Sequence, residues 1–286
     1  MKTARQGYNL YKNGLPFSNG LPENINDLKE RIELKKASLI VIDGGVGEGK
    51  TTLAVQVADY FQQSPINLKK QLSMGGKEFQ EKFKVCIDEG LRVIIYDEAG
   101  DFNRRGALTS FNSMLNRVFE TYRGYKILVI LALPNFGVLD KVLFENQIPR
   151  LLIHCYGRSQ NYGNYKGYSL LRMFYLRDKM SRLTVPPQAY GRVEPNFFGH
   201  FKDLNPSRSQ ELENISLEGK KKVLNTNIEK INKNLFSSHE ITKICNRSTA
   251  WLSLKLTELN IKPNYKQGKT CYYSDEIVER LKAEVR

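Results

Sequence analysis

Apolar and polar positions divide the first half of the chain into short buried runs separated by amphipathic stretches. Residues 38–42, Ser-Leu-Ile-Val-Ile, form a continuous apolar and largely β-branched run that predicts a buried strand. After a glycine-rich turn, Leu53, Val57 and Tyr60 recur at helical spacing between Thr52 and Gln62. Residues 93–96, Val-Ile-Ile-Tyr, predict a second strand covered on both faces. A third run at 126–132 is stopped by Pro134 and Asn135, and a fourth at 150–155 follows Asn146 and Pro149. Between the second and third, Met114, Val118 and Tyr122 share one helical stripe. Ile25, Leu28 and Ile32 predict an amphipathic helix from Asn24 to Lys35, and residues 169–176 read as a further strand. Strands alternating with helices imply an α/β fold, a three-layer αβα arrangement around a mostly parallel sheet.

The glycine-rich turn changes this picture from architecture to chemistry. Gly44-Gly45-Val46-Gly47-Glu48-Gly49-Lys50-Thr51-Thr52 fits the phosphate-loop pattern G-x-x-x-x-G-K-[ST] without mismatch, between a strand and a helix as that loop requires. Glycines at positive φ turn successive N–H groups inward as a nest for phosphate oxygens. The helix start adds its positive dipole end. Lys50 can reach the β- and γ-phosphates, and the Thr51 hydroxyl can ligate Mg²⁺. Asp97 closes the second strand at its carboxyl end, where α/β sheets place ligands. It is the expected Mg²⁺-orienting acid, and Glu98 the residue that polarises the attacking water. Asn135, ending the third strand, is placed to sense the γ-phosphate, although an Asn after Pro also serves as a turn residue. ATP and Mg²⁺ are the expected cofactors.

With the phosphate loop, the Asp97-Glu98 strand and Arg123-Gly124-Tyr125 leading into the third strand, residues 38–155 resemble the FtsK/HerA-type DNA-pumping ATPases. That group includes viral genome-packaging ATPases and, more distantly, zonula-occludens-toxin-like assembly ATPases. Many such motors carry glutamine at the end of the third strand, where this chain has Ala132-Leu133-Pro134-Asn135. The resemblance implies a homo-oligomeric ring, with a hexamer as one form. It also implies an arginine supplied by a neighbouring subunit, with Arg104, Arg105, Arg123 and Arg150 as candidates.

Charge adds a polyanion partner. The 286 residues carry a net charge of +14. Residues 156–236 hold 14 Lys/Arg against 7 Asp/Glu, the densest excess. Arg158, Lys166, Arg172 and Arg177 alternate there with Tyr156, Tyr162, Tyr165, Tyr168, Phe174 and Tyr175, punctuated by Gly157, Gly163 and Gly167. Such a stretch can grip DNA without reading sequence, or can be a hairpin with Tyr inside and Arg outside. The charged run around Lys220, Lys221 and Lys222 is a solvated helix face or a DNA contact. Four scattered cysteines without C-x-x-C spacing suggest free thiols, and three distant histidines make a zinc site unexpected. No apolar h-region follows the first residues, and the longest apolar run, 127–133, is too short to span a bilayer. A cytoplasmic protein without membrane contact is expected, an infected host cell included.

From Ser237 the pattern changes again. Ser237 and Glu240 form a capping box, Ser248 caps a second helix with Leu252, Leu256 and Leu259 on one face, and residues 265–273 predict a hairpin before a last helix. Residues 237–284 resemble the winged helix-turn-helix of MerR- and excisionase-type proteins. That resemblance implies DNA contacts from Arg247, Ser248, Thr249, Ser253 and Lys255, with Lys266 and Lys269 on the wing. A small module for protein contact is the alternative. The expected divisions are an extension at 1–37, an ATPase domain at 38–200, a linker or helix at 201–236 and the winged module at 237–286. The function expected is a Mg-ATP-hydrolysing motor that translocates or packages DNA of a virus or mobile element. Its rivals are an ATP-dependent switch in partition or transposition and a structural DNA-binding protein with a vestigial loop.

Overall fold

The computed structural model describes residues 17, 20–97, 105–159, 162–232, 235–267 and 270–285. The chain divides into two compact units, Met1–Asn103 with Phe111–Leu217, and Arg104–Ser110 with Glu218–Arg286.

The first unit is built on a seven-stranded sheet. Its strands are β1 (Leu39–Gly44), β2 (Leu72–Ser73), β3 (Val93–Asp97), β4 (Leu128–Leu133), β5 (Pro149–Tyr156), β6 (Tyr162–Ser169) and β7 (Phe197–Lys202). They lie in the order β2-β3-β4-β1-β5-β6-β7. Strands β1 to β5 are mutually parallel, whereas β6 and β7 add as antiparallel strands at one edge. β1 and β4 are buried at every position, as expected of strands covered on both faces.

Side chains along β1 alternate between two cores. Ile40 and Ile42 join Leu21, Ile25, Leu28 and Ile32 of α1 (Gly20–Glu33) and Leu53, Ala54 and Val57 of α2 (Lys50–Gln62). Leu39 and Val41 face the other way. They join Phe79 and Phe83 of α4 (Gly76–Asp88), Leu115 and Phe119 of α5 (Arg105–Tyr122), and Met173 and Leu176 of α7 (Leu170–Ser181). The short α3 (Leu68–Gln71) precedes β2, and α6 (Lys141–Glu145) precedes β5. Three layers result, and α1 is an integral part of one of them.

Two expectations need correction. Residues 170–176 are helix, not strand, because Met173, Leu176 and Met180 reach the core at intervals that only a helical period satisfies. Residues 201–202 finish β7, and the stretch expected as linker or helix runs from Pro206 as α8 (Pro206–Asn232). Gly163 and Gly167 are not flexible punctuation. They lie inside β6 opposite Phe201 and Phe197, and a Cβ on either would come within 2.3 and 2.2 Å of the facing ring. The rings cover the glycine backbone, a recognised way to stabilise glycine within a sheet. Of the hairpin alternative, the part that fits is Tyr165 and Tyr168 of β6, which are fully buried, whereas Arg172 and Arg177 lie on the helix that follows.

Gly163→Ala should therefore force Phe201 from its place and destabilise the first unit by about 1–3 kcal/mol. Urea unfolding followed by circular dichroism would show the loss as a lower midpoint at unchanged slope.

Candidate functional site

β1 ends where the phosphate loop begins. Gly44 sits at φ 142, and a Cβ there would lie 2.4 Å from the Cys155 carbonyl of β5. Gly47 and Gly49 adopt φ 84 and 83, the left-handed region that favours glycine. A Cβ on Gly47 would meet nothing within 4 Å, so the loop leaves open space on that side. Gly49 is the N-cap of α2, whose first-turn amides have no side-chain cap. Lys50 folds back over the loop, with Nζ donating to Gly44 O at 2.8 Å and Gly45 O at 2.7 Å.

Asp97 stands at the end of β3, and β4 separates β3 from β1. Ala132 of β4 is the register partner of both Ile42 and Asp97, so the acid stands level with the end of β1. The Thr51 hydroxyl donates to Asp97 Oδ2 at 2.7 Å. The motif threonine and the strand acid, 46 residues apart, thus meet above the carboxyl end of the sheet.

These donors fit a magnesium ion. A hydroxyl and a carboxylate are hard oxygen ligands, suited to a cation that keeps several waters and takes its remaining ligands from substrate phosphates. Among the described residues no group of three or more His, Cys, Asp or Glu could hold a metal by itself.

One buried network escaped sequence reasoning. Asp43, 1% exposed, ends the regular part of β1 behind the loop. Its Oδ2 accepts from Phe136 N at 3.0 Å and from the Tyr190 hydroxyl, and its Oδ1 faces His154 Nδ1 at 2.9 Å. Opposite a carboxylate, Nδ1 carries the proton. The His154 and Tyr190 rings stack with centroids 3.5 Å apart. Burial first, and the Asp43 charge second, raise the Tyr190 hydroxyl well above its ordinary range, so it remains a donor. The available signal was a lone acid between an apolar strand and the first loop glycine.

Other expected residues fall in varied places. Asn135 Oδ1 accepts from Gly137 N at 2.8 Å and caps a 3-10 turn, Phe136–Val138, the turn role that the sequence also allowed. Arg150 opens β5 at the amino end of the strands, opposite the loop, with Nη2 on Gln147 Oε1 at 3.4 Å. Arg123 begins a 3-10 turn ahead of β4 at that same far edge. Neither is at the site of its own chain. Arg105 opens α5. Glu98, Arg104 and Lys269 lie outside the described residues.

In the second unit, β8 (Phe236–Ser237), β10 (Thr270–Tyr273) and β9 (Tyr265–Gln267) form a sheet in the order β8-β10-β9. They accompany α9 (Ser238–Ile244), α10 (Thr249–Glu258) and α11 (Asp275–Ala283) around Ile241, Leu252, Tyr273, Val278 and Leu281. The Ser237–Glu240 capping box is present, and Ser248 caps α10 by accepting from Trp251 N at 3.2 Å. Thr242, Lys243, Asn246, Arg247, Ser248 and Trp251 line an open depression of about 540 Å³ at the α9–α10 turn. Arg247, Ser248, Thr249, Ser253 and Lys266 are exposed. Lys255 Nζ pairs with Glu258 at 2.7 Å and Glu284 at 3.3 Å.

The first unit has the strand order, loop and strand-end acid of a P-loop NTPase-like α/β fold. No family model matches this chain, and no curated protein matches it. One solved structure that aligns with it is the N-terminal domain of zonular occludens toxin from Neisseria meningitidis, at 15% identity over 47% of this chain and 84% of that one, with a TM-score of 0.29. Another is the flagellar accessory protein FlaH from Methanocaldococcus jannaschii, at 16% identity over 50% and 83%, with a TM-score of 0.24.

Asp43→Ala should leave the Tyr190 hydroxyl, the His154 ring and the Phe136 amide without their acceptor. A loss of about 3 kcal/mol is expected. Calorimetric unfolding of the variant would show it as a lowered Tm, and an unchanged Tm would refute the network's structural weight.

Proposed function

We propose that the first unit binds and hydrolyses Mg-ATP and that the second binds DNA, so that the chain moves or packages the DNA of a virus or mobile element. The observation that carries the ATPase reading is the 2.7 Å contact between Thr51 Oγ1 and Asp97 Oδ2. In this reading the amides of residues 45–51 receive the phosphates, helped by the amino end of α2. Phosphate oxygens compete with the carbonyls of Gly44 and Gly45 for Lys50. Thr51 and Asp97 hold the magnesium ion, which when bound supplies positive charge against the phosphate oxygens. Glu98 orients the attacking water. Arg104, Arg105 or Arg123 of a neighbouring subunit supplies the remaining charge in a homo-oligomeric ring.

The DNA reading draws support from the net charge of +14 and from the exposed set at the α9–α10 turn. Lys243 and Arg247 beside the start of α10 suit phosphate, and Thr249 and Ser253 on α10 suit base edges. That second feature also favours the rival reading, an ATP-dependent switch in partition or transposition that binds one DNA site. The expected cytoplasmic location goes with either reading. Among the described residues no helix is long and apolar enough to cross a membrane.

Lys50→Ala should lower ATP turnover about a hundredfold or more while leaving circular dichroism unchanged. Wild-type turnover in that variant would end the ATPase reading. Trp251, the single tryptophan, lines the depression and reports DNA binding by its fluorescence. Arg247→Ala should weaken the titration and reduce the slope of log affinity against log salt by about one. ATPase stimulation by DNA of any sequence supports a motor, and stimulation by one site alone supports the switch.

A further inference from the structure

The turn between β5 and β6 holds one arginine against the phosphate loop. Gly157 enters the turn at φ 58, and Asn164 Nδ2 donates to its carbonyl at 2.7 Å. Ser159 closes it, with N and Oγ on Tyr162 O at 2.9 and 3.2 Å. Between them, Arg158 N donates to Glu48 Oε2 of the phosphate loop at 3.0 Å, so turn and loop are joined. The Arg158 guanidinium then lies on Gly49, with Nη1 2.7 Å from where a Cβ of residue 49 would stand. Nη2 donates to Asp203 Oδ1 at 2.6 Å, one residue past β7. Both partners of that ion pair are partly open to solvent, at 31% and 33% side-chain exposure.

Gly49 is the N-cap of α2, so the guanidinium, together with the Phe201 ring, packs at the amino end of that helix. An ion pair this open contributes little by itself. A guanidinium facing a phosphate makes charge-assisted, often bidentate hydrogen bonds, the geometry for which Arg is suited and Lys is not. A phosphate chain also carries more negative charge than one carboxylate. We propose that Arg158 is a phosphate ligand supplied by the nucleotide's own subunit, and that Asp203 competes with the nucleotide for it. The inference rests on the reading of this site as a nucleotide site. It adds to that site a residue from an edge hairpin outside the loop and acid motifs. Nucleotide binding thereby trades the Arg158–Asp203 tie for an Arg158–phosphate tie and releases the carboxylate that follows β7.

The test is equilibrium titration of the full chain with ATP and ADP in excess magnesium, on wild type, Lys50→Ala, Arg158→Ala and Asp203→Asn. Thermal unfolding of each checks the fold. Arg158→Ala should weaken binding about tenfold or more. Asp203→Asn should tighten it about two- to fivefold, since it removes the competitor and keeps the shape. Opposite signs are the signature, because losing either half of a purely structural ion pair moves affinity the same way. Weaker binding in both variants, or wild-type binding in both, overturns the inference. If Lys50→Ala still loses binding in that case, the nucleotide reading stands without it. A wild-type chain that binds no nucleotide removes both.

Discussion

Parallel register fixes the whole of the first unit's chemistry. Ile42, Ala132 and Asp97 stand level across β1, β4 and β3, so the loop and the acid emerge at one end of the sheet. Adjacent strands lie about 4.8 Å apart, so β1 and β3 are separated by roughly twice that. Ile42, which stands at that level on β1, is apolar and offers Asp97 no hydrogen bond. The loop solves this by turning back over the sheet's edge and placing Thr51 in the first turn of α2, from where its hydroxyl closes the gap. Left-handed Gly47 and Gly49 permit that reversal.

A second layer of constraint lies beneath the loop. Asp43 is a carboxylate taken almost wholly out of water, which is tolerable only with its hydrogen-bonding capacity filled. Its partners come from three places: the turn after β4, strand β5 and the 3-10 segment Pro186–Gly191. One buried charge therefore ties the base of the loop to the turn bearing Asn135 and to the segment ahead of the antiparallel edge strand β7. That same edge carries Arg158 and Asp203 to Gly49. The parallel half of the sheet holds the loop and the strand acid, and the antiparallel extension reaches round to the loop's other side.

The second unit follows different physics. Its small core is closed by three helices and three short strands, and capping residues define where α9 and α10 begin. Lys255, which helical spacing places on the outer face, pairs there with Glu258 and Glu284. Arg247, Thr249 and Ser253 keep that face polar and exposed.

Strands β1, β3, β4 and β5, helix α2, the phosphate loop and the caps at Ser237 and Ser248 were legible in the sequence. Each is a local property: a continuous apolar run, a helical stripe, a glycine spacing, a hydroxyl before a helix. β6 and the start of α7 were not separable, because Tyr168, Leu170, Met173 and Leu176 are apolar under either period and only packing chooses between them. Gly163 and Gly167 read in the sequence as flexible punctuation, whereas Phe201 and Phe197 lie across them. The sequence by itself determined that a phosphate loop joins a buried strand to a helix and that an acid ends another buried strand. Tertiary structure alone decided that β4 lies between those strands, that Asp43 gathers His154 and Tyr190, and that Arg158 rests on Gly49. Asp43 and Tyr190 are 147 positions apart, and strand order, which no local pattern encodes, sets which such distant residues meet.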